Sequence, residues 1–194
     1  KYRKSSLAPL FAWVIVAIIL SVLPIGFKLM AEASTTTLIA TQDTWINQDD
    51  KSDTYGSDND LKVKSKSGSS NKRSLIGFDI SSLPSDITIT SATLKLYVNG
   101  APGSARTYQA HRITKSWAES SANWNNASST FDVTATASAV VDSPQNHTYV
   151  SWDVKSDVEA FYNGTYSNYG WLIKDQTENN SSSKEVKFTS RDDA

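Results

Sequence analysis

Cysteine is absent from this 194-residue chain, so disulfides, thiolate metal sites and cysteine nucleophiles are excluded together. Histidine is nearly absent too. Only His111 and His147 could act as an imidazole base beside a nucleophile, and neither belongs to a G-x-S-x-G or H-E-x-x-H pattern. An excess of either charge is also missing. The 19 basic and 20 acidic residues leave a formal net charge of −1, which removes the electrostatic case for nucleic acid or a polybasic membrane surface. No internal repeat is evident, and no linker divides the chain after its first thirty residues. What the sequence does have is Ser, Thr, Asn and Asp in abundance, with six Trp and eight Tyr. That balance suits short strands joined by polar turns.

Leu7 to Phe27 reads LAPLFAWVIVAIILSVLPIGF without a charge. A helix of about 20 such residues crosses a hydrocarbon core of about 30 Å. Lys1, Arg3 and Lys4 precede the run and Lys28 follows it, which places the N-terminus in the cytoplasm and the rest outside. Residues 1–33 are therefore read as one long hydrophobic α-helix. It is a cleavable signal ending at Ala31-Glu32-Ala33, a permanent anchor, or an assembly helix. In the assembly reading Leu7, Pro9, Phe11, Trp13, Val16, Ile19, Val22, Pro24 and Phe27 pack against copies of the chain. The run is similar to the N-terminal helix of type IV-like pilins. No acid precedes Glu32, where bacterial pilins carry a glutamate.

From Ser34 the pattern changes to period two. Thr37-Leu38-Ile39-Ala40, Leu61-Lys62-Val63-Lys64, Ala92 to Val98 and Val186-Lys187-Phe188-Thr189 alternate apolar with polar, as half-buried strands do. Arg73 to Ile80 and Thr148 to Trp152 are two more strands. Turn signals fall between them at Tyr55-Gly56-Ser57-Asp58, Ser67 to Asn71, Leu83-Pro84-Ser85-Asp86 and Asn99 to Gly103. One helix is expected over Val154 to Tyr162, with Val154, Val158 and Phe161 on one face and Asn163-Gly164 as its stop. The pattern predicts an antiparallel β-sandwich or barrel over 34–194.

Several pieces of this region, taken in order, carry a resemblance. They are Asp43-Thr44-Trp45-Ile46, Tyr55-Gly56, Arg73 to Pro84 and Ile89 to Tyr97. Trp117-Ala118-Glu119-Ser120, Asn123-Trp124-Asn125-Asn126, Trp152-Asp153-Val154, Asn168-Tyr169-Gly170-Trp171 and Phe188 to Asp192 follow. Together they resemble the DNRLRE, or disaggregatase-related, domains, which are classed among carbohydrate-binding modules. The resemblance implies a jelly-roll β-sandwich of the kind found beside polysaccharide-degrading enzymes and on cell surfaces. In that family a final strand follows the Ser-Arg-acid piece. The sequence stops at Ala194, so either the sequence is truncated or that sheet edge is left open, able to take a neighbour's strand.

Three kinds of site are worth naming. Sugars stack their C–H faces on aromatic rings while amides and carboxylates read hydroxyls, which makes Tyr55, Trp124 and Trp45 the candidates. Calcium takes six to eight oxygens, and Asp49, Asp53, Asp58 and Asp60 form the densest acidic stretch. N-x-[ST] sequons mark Asn126, Asn146, Asn163 and Asn180 for glycosylation. The acids Asp43, Asp79, Glu119, Asp153 and Glu159 have no spacing that fixes a hydrolytic pair. Asp79 and Asp153 are expected to tie turns and caps.

A non-enzymatic protein of the cell surface is expected, first inserted in the cytoplasmic membrane. Its leading reading is a glycosylated, adhesive subunit of a pilus-like filament, polymerising with copies of itself through the helix. The alternative is a membrane-anchored carbohydrate-binding module that holds polysaccharide.

Overall fold

In Asp60–Ser65 (β3), Leu61 and Val63 are buried while Lys62 and Lys64 remain at the surface, so one face of the strand goes inward. The same alternation runs through Ile87–Gly100 (β5) and gives Leu94, Leu96 and Val98 to the interior. The computed structural model describes residues 13–20 and 33–193. Among these, ten strands form one sheet.

Its frame is a closed ring. Ala33–Asn47 (β2) pairs with Trp13–Leu20 (β1), and β1 with β5. From β5 the ring continues through Lys184–Thr189 (β10), β3 and Lys72–Phe78 (β4) back to β2. All these pairs are antiparallel. Trp171–Asp175 (β9), Arg106–Arg112 (β6) and Ala137–Val141 (β7) extend from β4, while Tyr149–Asp153 (β8) lies along β5. The all-β, antiparallel character expected for 34–194 is present, and the sheet is barrel-like. The reason is the length of β2 and β5, 15 and 14 residues, which lets each change partner along its course. A register shift between Ala40 and Gln42 marks where β2 passes from β1 to β4.

The largest correction concerns the N-terminal run. Trp13, Val16 and Ile19, expected on a helix, stand in β1, with β2 on one edge and β5 on the other. Val14, Ile15, Val16, Ile18 and Ile19 are all β-branched, which favours extended backbone, and ladders on both edges satisfy the strand's polar groups. A segment held this way does not also pack as a helix in a filament core. Leu7, Pro9, Phe11, Val22, Pro24 and Phe27 lie outside the described residues. No helix among the described residues is long and apolar enough to cross a membrane. The open edge expected near the C-terminus is not at β10, which has β3 on one side and β5 on the other.

Inside the ring sits the main core. Trp152, Trp171, Tyr108 and Phe188 are its largest fully buried side chains, each burying apolar surface that contributes about 1.5–3 kcal/mol. Both indoles find acceptors: Trp152 Nε1 donates to Tyr108 O at 3.0 Å and Trp171 Nε1 to Asp157 Oδ2 at 2.7 Å. The expected helix is present as Lys155–Tyr162 (α2), with Asn163 as its C-cap and Gly164 at positive φ beyond it. A short helix, Trp124–Ala127 (α1), has no counterpart in the sequence reading. Asn123 and Asn126 form a capping box that starts it, and Trp124 and Ala127 fall into a second apolar cluster with Ile46, Leu75, Ile113 and Leu172.

Candidate functional site

Tyr55 and Trp45, two of the three aromatic candidates, meet. Their rings stack with centroids 3.7 Å apart and planes 20° from parallel. Trp45 is buried and its Nε1 donates to Asp58 Oδ2 at 2.9 Å, while the Lys62 and Lys72 ammonium groups lie 4.4 and 4.9 Å from its ring centre. Trp45 thus serves as a fixed seat, and Tyr55, half-buried, carries the outward ring. The Tyr55 hydroxyl lies 3.5 Å from Asp50 Oδ2, and Asn47 Nδ2 donates to that same oxygen at 2.7 Å. Partial burial, followed by nearby Asp50 and Asp53, raises the phenol's pKa, so the ring stays neutral over the physiological range.

The loop carrying Tyr55 is pinned to the segment around α1. Asn125 N donates to Lys51 O at 3.1 Å. Gly56 lies so close to Glu119 that a Cβ there would stand 2.5 Å from the Glu119 carbonyl oxygen. That approach demands glycine. Beside this junction a hollow of about 370 Å³ is lined by Ser116, Trp117, Ala118, Ser121, Ala122 and Asn126. Trp117 Nε1 donates to Tyr169 O at 2.9 Å, which holds the indole as one wall. The lining is mixed: Trp117, Ala118 and Ala122 are apolar, and Ser116, Ser121 and Asn126 are polar.

Trp124 behaves differently from Tyr55. It is 9% exposed within the second apolar cluster, and the Arg73 guanidinium lies 4.7 Å from its ring centre. Arg73 itself forks onto Glu178, with Nε–Oε1 and Nη2–Oε2 both at 2.7 Å, and donates to Ser128 O. Trp124 is therefore a core residue. The flanking asparagines that suggested a binding motif are the capping box of α1.

The four aspartates proposed for calcium do not converge. Asp49 accepts from Ser70 Oγ, Asp58 from Trp45 and Lys62, and Asp60 from Asn99 Nδ2, while Asp53 lies in an exposed turn. Among the described residues three carboxylates do gather elsewhere: Asp43, Glu119 and Asp192. There Arg191 takes the cation's place. Its Nε and Nη2 donate to Glu119 Oε1 and Oε2, and its backbone N–H donates to Asp43 Oδ2 at 2.9 Å. Ser190 Oγ donates to Asp43 Oδ1 at 2.8 Å, and Asp43 N donates to Glu119 Oε1 at 2.8 Å. Burial pushes the Asp43 carboxyl up to about 6. A raised acid beside a second carboxylate would suit glycoside hydrolysis, but here each oxygen of both groups already accepts a hydrogen bond from the protein. The cluster is a clamp between β2, the Glu119 loop and the C-terminal segment.

Asp79 and Asp153 tie turns as expected. Asp79 accepts from Ser81 N and Oγ, and these bonds lower its pKa; Asp153 Oδ1 accepts from Lys155 N at 3.0 Å. The imidazoles are not placed for catalysis. His111 is buried and Nδ1–H donates to Asp132 O at 2.8 Å; desolvation lowers its pKa. His147 occupies a positive-φ turn. Of the sequon asparagines, Asn146 and Asn163 are exposed at turns, Asn180 is half-buried, and the Asn126 amide is used in capping.

Residues 34–194 match the sequence model of carbohydrate-binding module family 96. The chain belongs to that family. No curated protein matches the chain. The module starts at residue 34, so β1 lies outside the family match even though it stands inside the ring. Carbohydrate-binding module family 96 supports the alternative sequence expectation, polysaccharide binding, over the filament subunit.

Proposed function

We propose that this family 96 module binds polysaccharide without cleaving it, and that the Tyr55 ring is its principal contact. The family match over 34–194 carries the proposal. The geometry fits it: Tyr55 is held flat on Trp45, and its loop meets the Glu119 segment, beside which lies a recess of mixed polar and apolar lining. A pyranose would lay its apolar face on the tyrosine, with Asp50 and neighbouring amides accepting and donating to its hydroxyls. Because the seat is built before the ligand arrives, little side-chain entropy is lost on binding. In this reading the module works outside the cytoplasmic membrane, with the exposed Asn146 and Asn163 able to carry glycans.

Depletion assays against insoluble cellulose, chitin, xylan and mannan test it. Wild-type protein should be depleted by at least one polymer, and Tyr55→Ala should lose most of that binding while remaining folded. Equal depletion of wild type and Tyr55→Ala would remove the ring from the site, and absence of depletion by every polymer would remove the function.

A further inference from the structure

Strand β8 has a single ladder among the described residues, the one it shares with β5. On β5, Thr93, Lys95 and Tyr97 alternate with buried Leu94 and Leu96 and so stand on the outer face. On β8, Tyr149, Ser151 and Asp153 do the same around Val150 and Trp152. The register sets Tyr97 directly opposite Tyr149. Their rings meet edge to face, with centroids 5.3 Å apart and planes 71° from parallel. Tyr149 is 40% exposed and Tyr97 half-buried, so a reagent reaches the pair from solution. The other described tyrosines are engaged elsewhere. Tyr55 lies on Trp45, Tyr108 is fully buried, and the Tyr162 hydroxyl donates to Pro84 O at 2.8 Å. Tyr166 has the Arg112 guanidinium over its ring, and Tyr169 packs on the second apolar cluster.

We propose that Tyr97 and Tyr149 form an oxidative cross-linking site, joined as dityrosine by a one-electron oxidant of the haem-peroxidase class acting with hydrogen peroxide. Each phenol gives up one electron and one proton. The two tyrosyl radicals couple through ring carbons ortho to oxygen, which makes one C–C bond. Each ring regains aromaticity by moving its ortho hydrogen to the phenolic oxygen. Two electrons and two protons have then left the protein, and one peroxide takes them up as two waters. Coupling asks for ring rotation and a small closing of a contact already made, and partial exposure leaves room for both. Burial, followed by the Tyr97 phenol, raises the Tyr149 pKa, so its proton leaves together with the electron. The bond has a structural role open to it. The chain has no cysteine, and β8 is held on β5 alone among the described strands. A link from Tyr97 to Tyr149 closes a loop that contains β6, α1 and β7, and restricts the unfolded chain as a disulfide would. Neither tyrosine belongs to the Tyr55 surface, so cross-linking and polysaccharide binding are separate properties.

Treatment of the full chain, kept dilute, with a haem peroxidase and hydrogen peroxide tests this. Monomeric wild type should gain dityrosine fluorescence, lose the mass of two hydrogens, and yield one cross-linked peptide pair carrying Tyr97 and Tyr149. Tyr97→Phe and Tyr149→Phe keep a ring on each strand, and each should lose the monomer's fluorescence. Tyr166→Phe should keep it. The oxidised monomer should also unfold at a higher urea midpoint than the untreated one. A monomer without dityrosine, a bond between other tyrosines, or dityrosine found only in covalent dimers would each overturn the site. Undiminished monomer fluorescence in Tyr149→Phe would do the same.

Discussion

Arg191 and Glu119 form a two-pronged pair, Nε to Oε1 at 2.9 Å and Nη2 to Oε2 at 2.6 Å. The fork joins the C-terminal segment to the loop that supports Gly56, and Glu119 also accepts from the buried Asp43 amide. Because the hydrogen bonds that Arg191 donates to Glu119 dominate, the guanidinium is held even further into its charged form. Glu119→Ala should therefore cost about 2 kcal/mol in urea unfolding, since a buried N–H is orphaned along with the fork. Arg191→Lys, which keeps charge but loses the planar fork, should fall between wild type and Arg191→Ala. A loss below about 0.5 kcal/mol for Glu119→Ala would class the pair with ordinary surface ion pairs.

Asp43 gives the clamp a pH signature. Its folded pKa is raised, from 3.8 to about 6, chiefly by desolvation. Below pH 3.8 the folded and unfolded chains both hold the proton; between there and about 6 only the folded chain does. The stability this group contributes is thus complete at acid pH and is lost as pH rises through about 6. Carbon-detected NMR of the side-chain carboxyls should find one aspartate titrating near 6. Asp43→Asn should flatten the fall in stability across the same window.

Gly170 tests the join between β4 and β9. Its φ is +78°, and an added Cβ would stand 2.0 Å from Ile76 O. Gly170→Ala should lower stability by more than about 2 kcal/mol, combining left-handed strain with a backbone clash. A melting temperature within a degree or two of wild type would contradict this packing.

Trp124 and Tyr55 should part company when each is changed to alanine. Trp124→Ala empties a space in the second apolar cluster and should cost about 3–5 kcal/mol, with binding per folded molecule retained. Tyr55→Ala should do the reverse, with a small stability change and lost binding. Thermal unfolding beside the depletion assay separates them.

Strand β1 can be probed through its backbone alone. Val16→Pro removes an N–H and imposes a fixed φ in a strand flanked on both sides, so it should destabilise by about 3 kcal/mol. Hydrogen exchange should also show protected amides across 13–20 in the wild type.

Strands with one wet face were legible. Lys62 and Lys64 between Leu61 and Val63 declare the pattern, and α2 declares itself through Val158, Phe161 and the Asn163-Gly164 stop. The run around β1 hides its state because it is apolar throughout; a length rule favours a helix there, and only its β-branched content hints at a strand. For the Trp residues, composition says nothing about which side of a loop faces out. Asn123 and Asn126 flank Trp124 as a sugar motif would, yet they cap α1. Tyr97 and Tyr149 are far apart in the chain and share no motif, so only folding reveals their contact. The available signal was modest: each tyrosine takes an outward position in an alternating run, beside Leu96 and Val150.

The place of β1 in the ring has a mechanical consequence. The N-terminal segment enters through the wall, between β2 and β5, and runs antiparallel to both. Tension applied along that strand loads two hydrogen-bond ladders in shear at the same moment, so they must give way together. A strand peeled from a free border would release its bonds one by one. A module grasping an insoluble polymer while its N-terminal end is pulled would resist as a bolt resists.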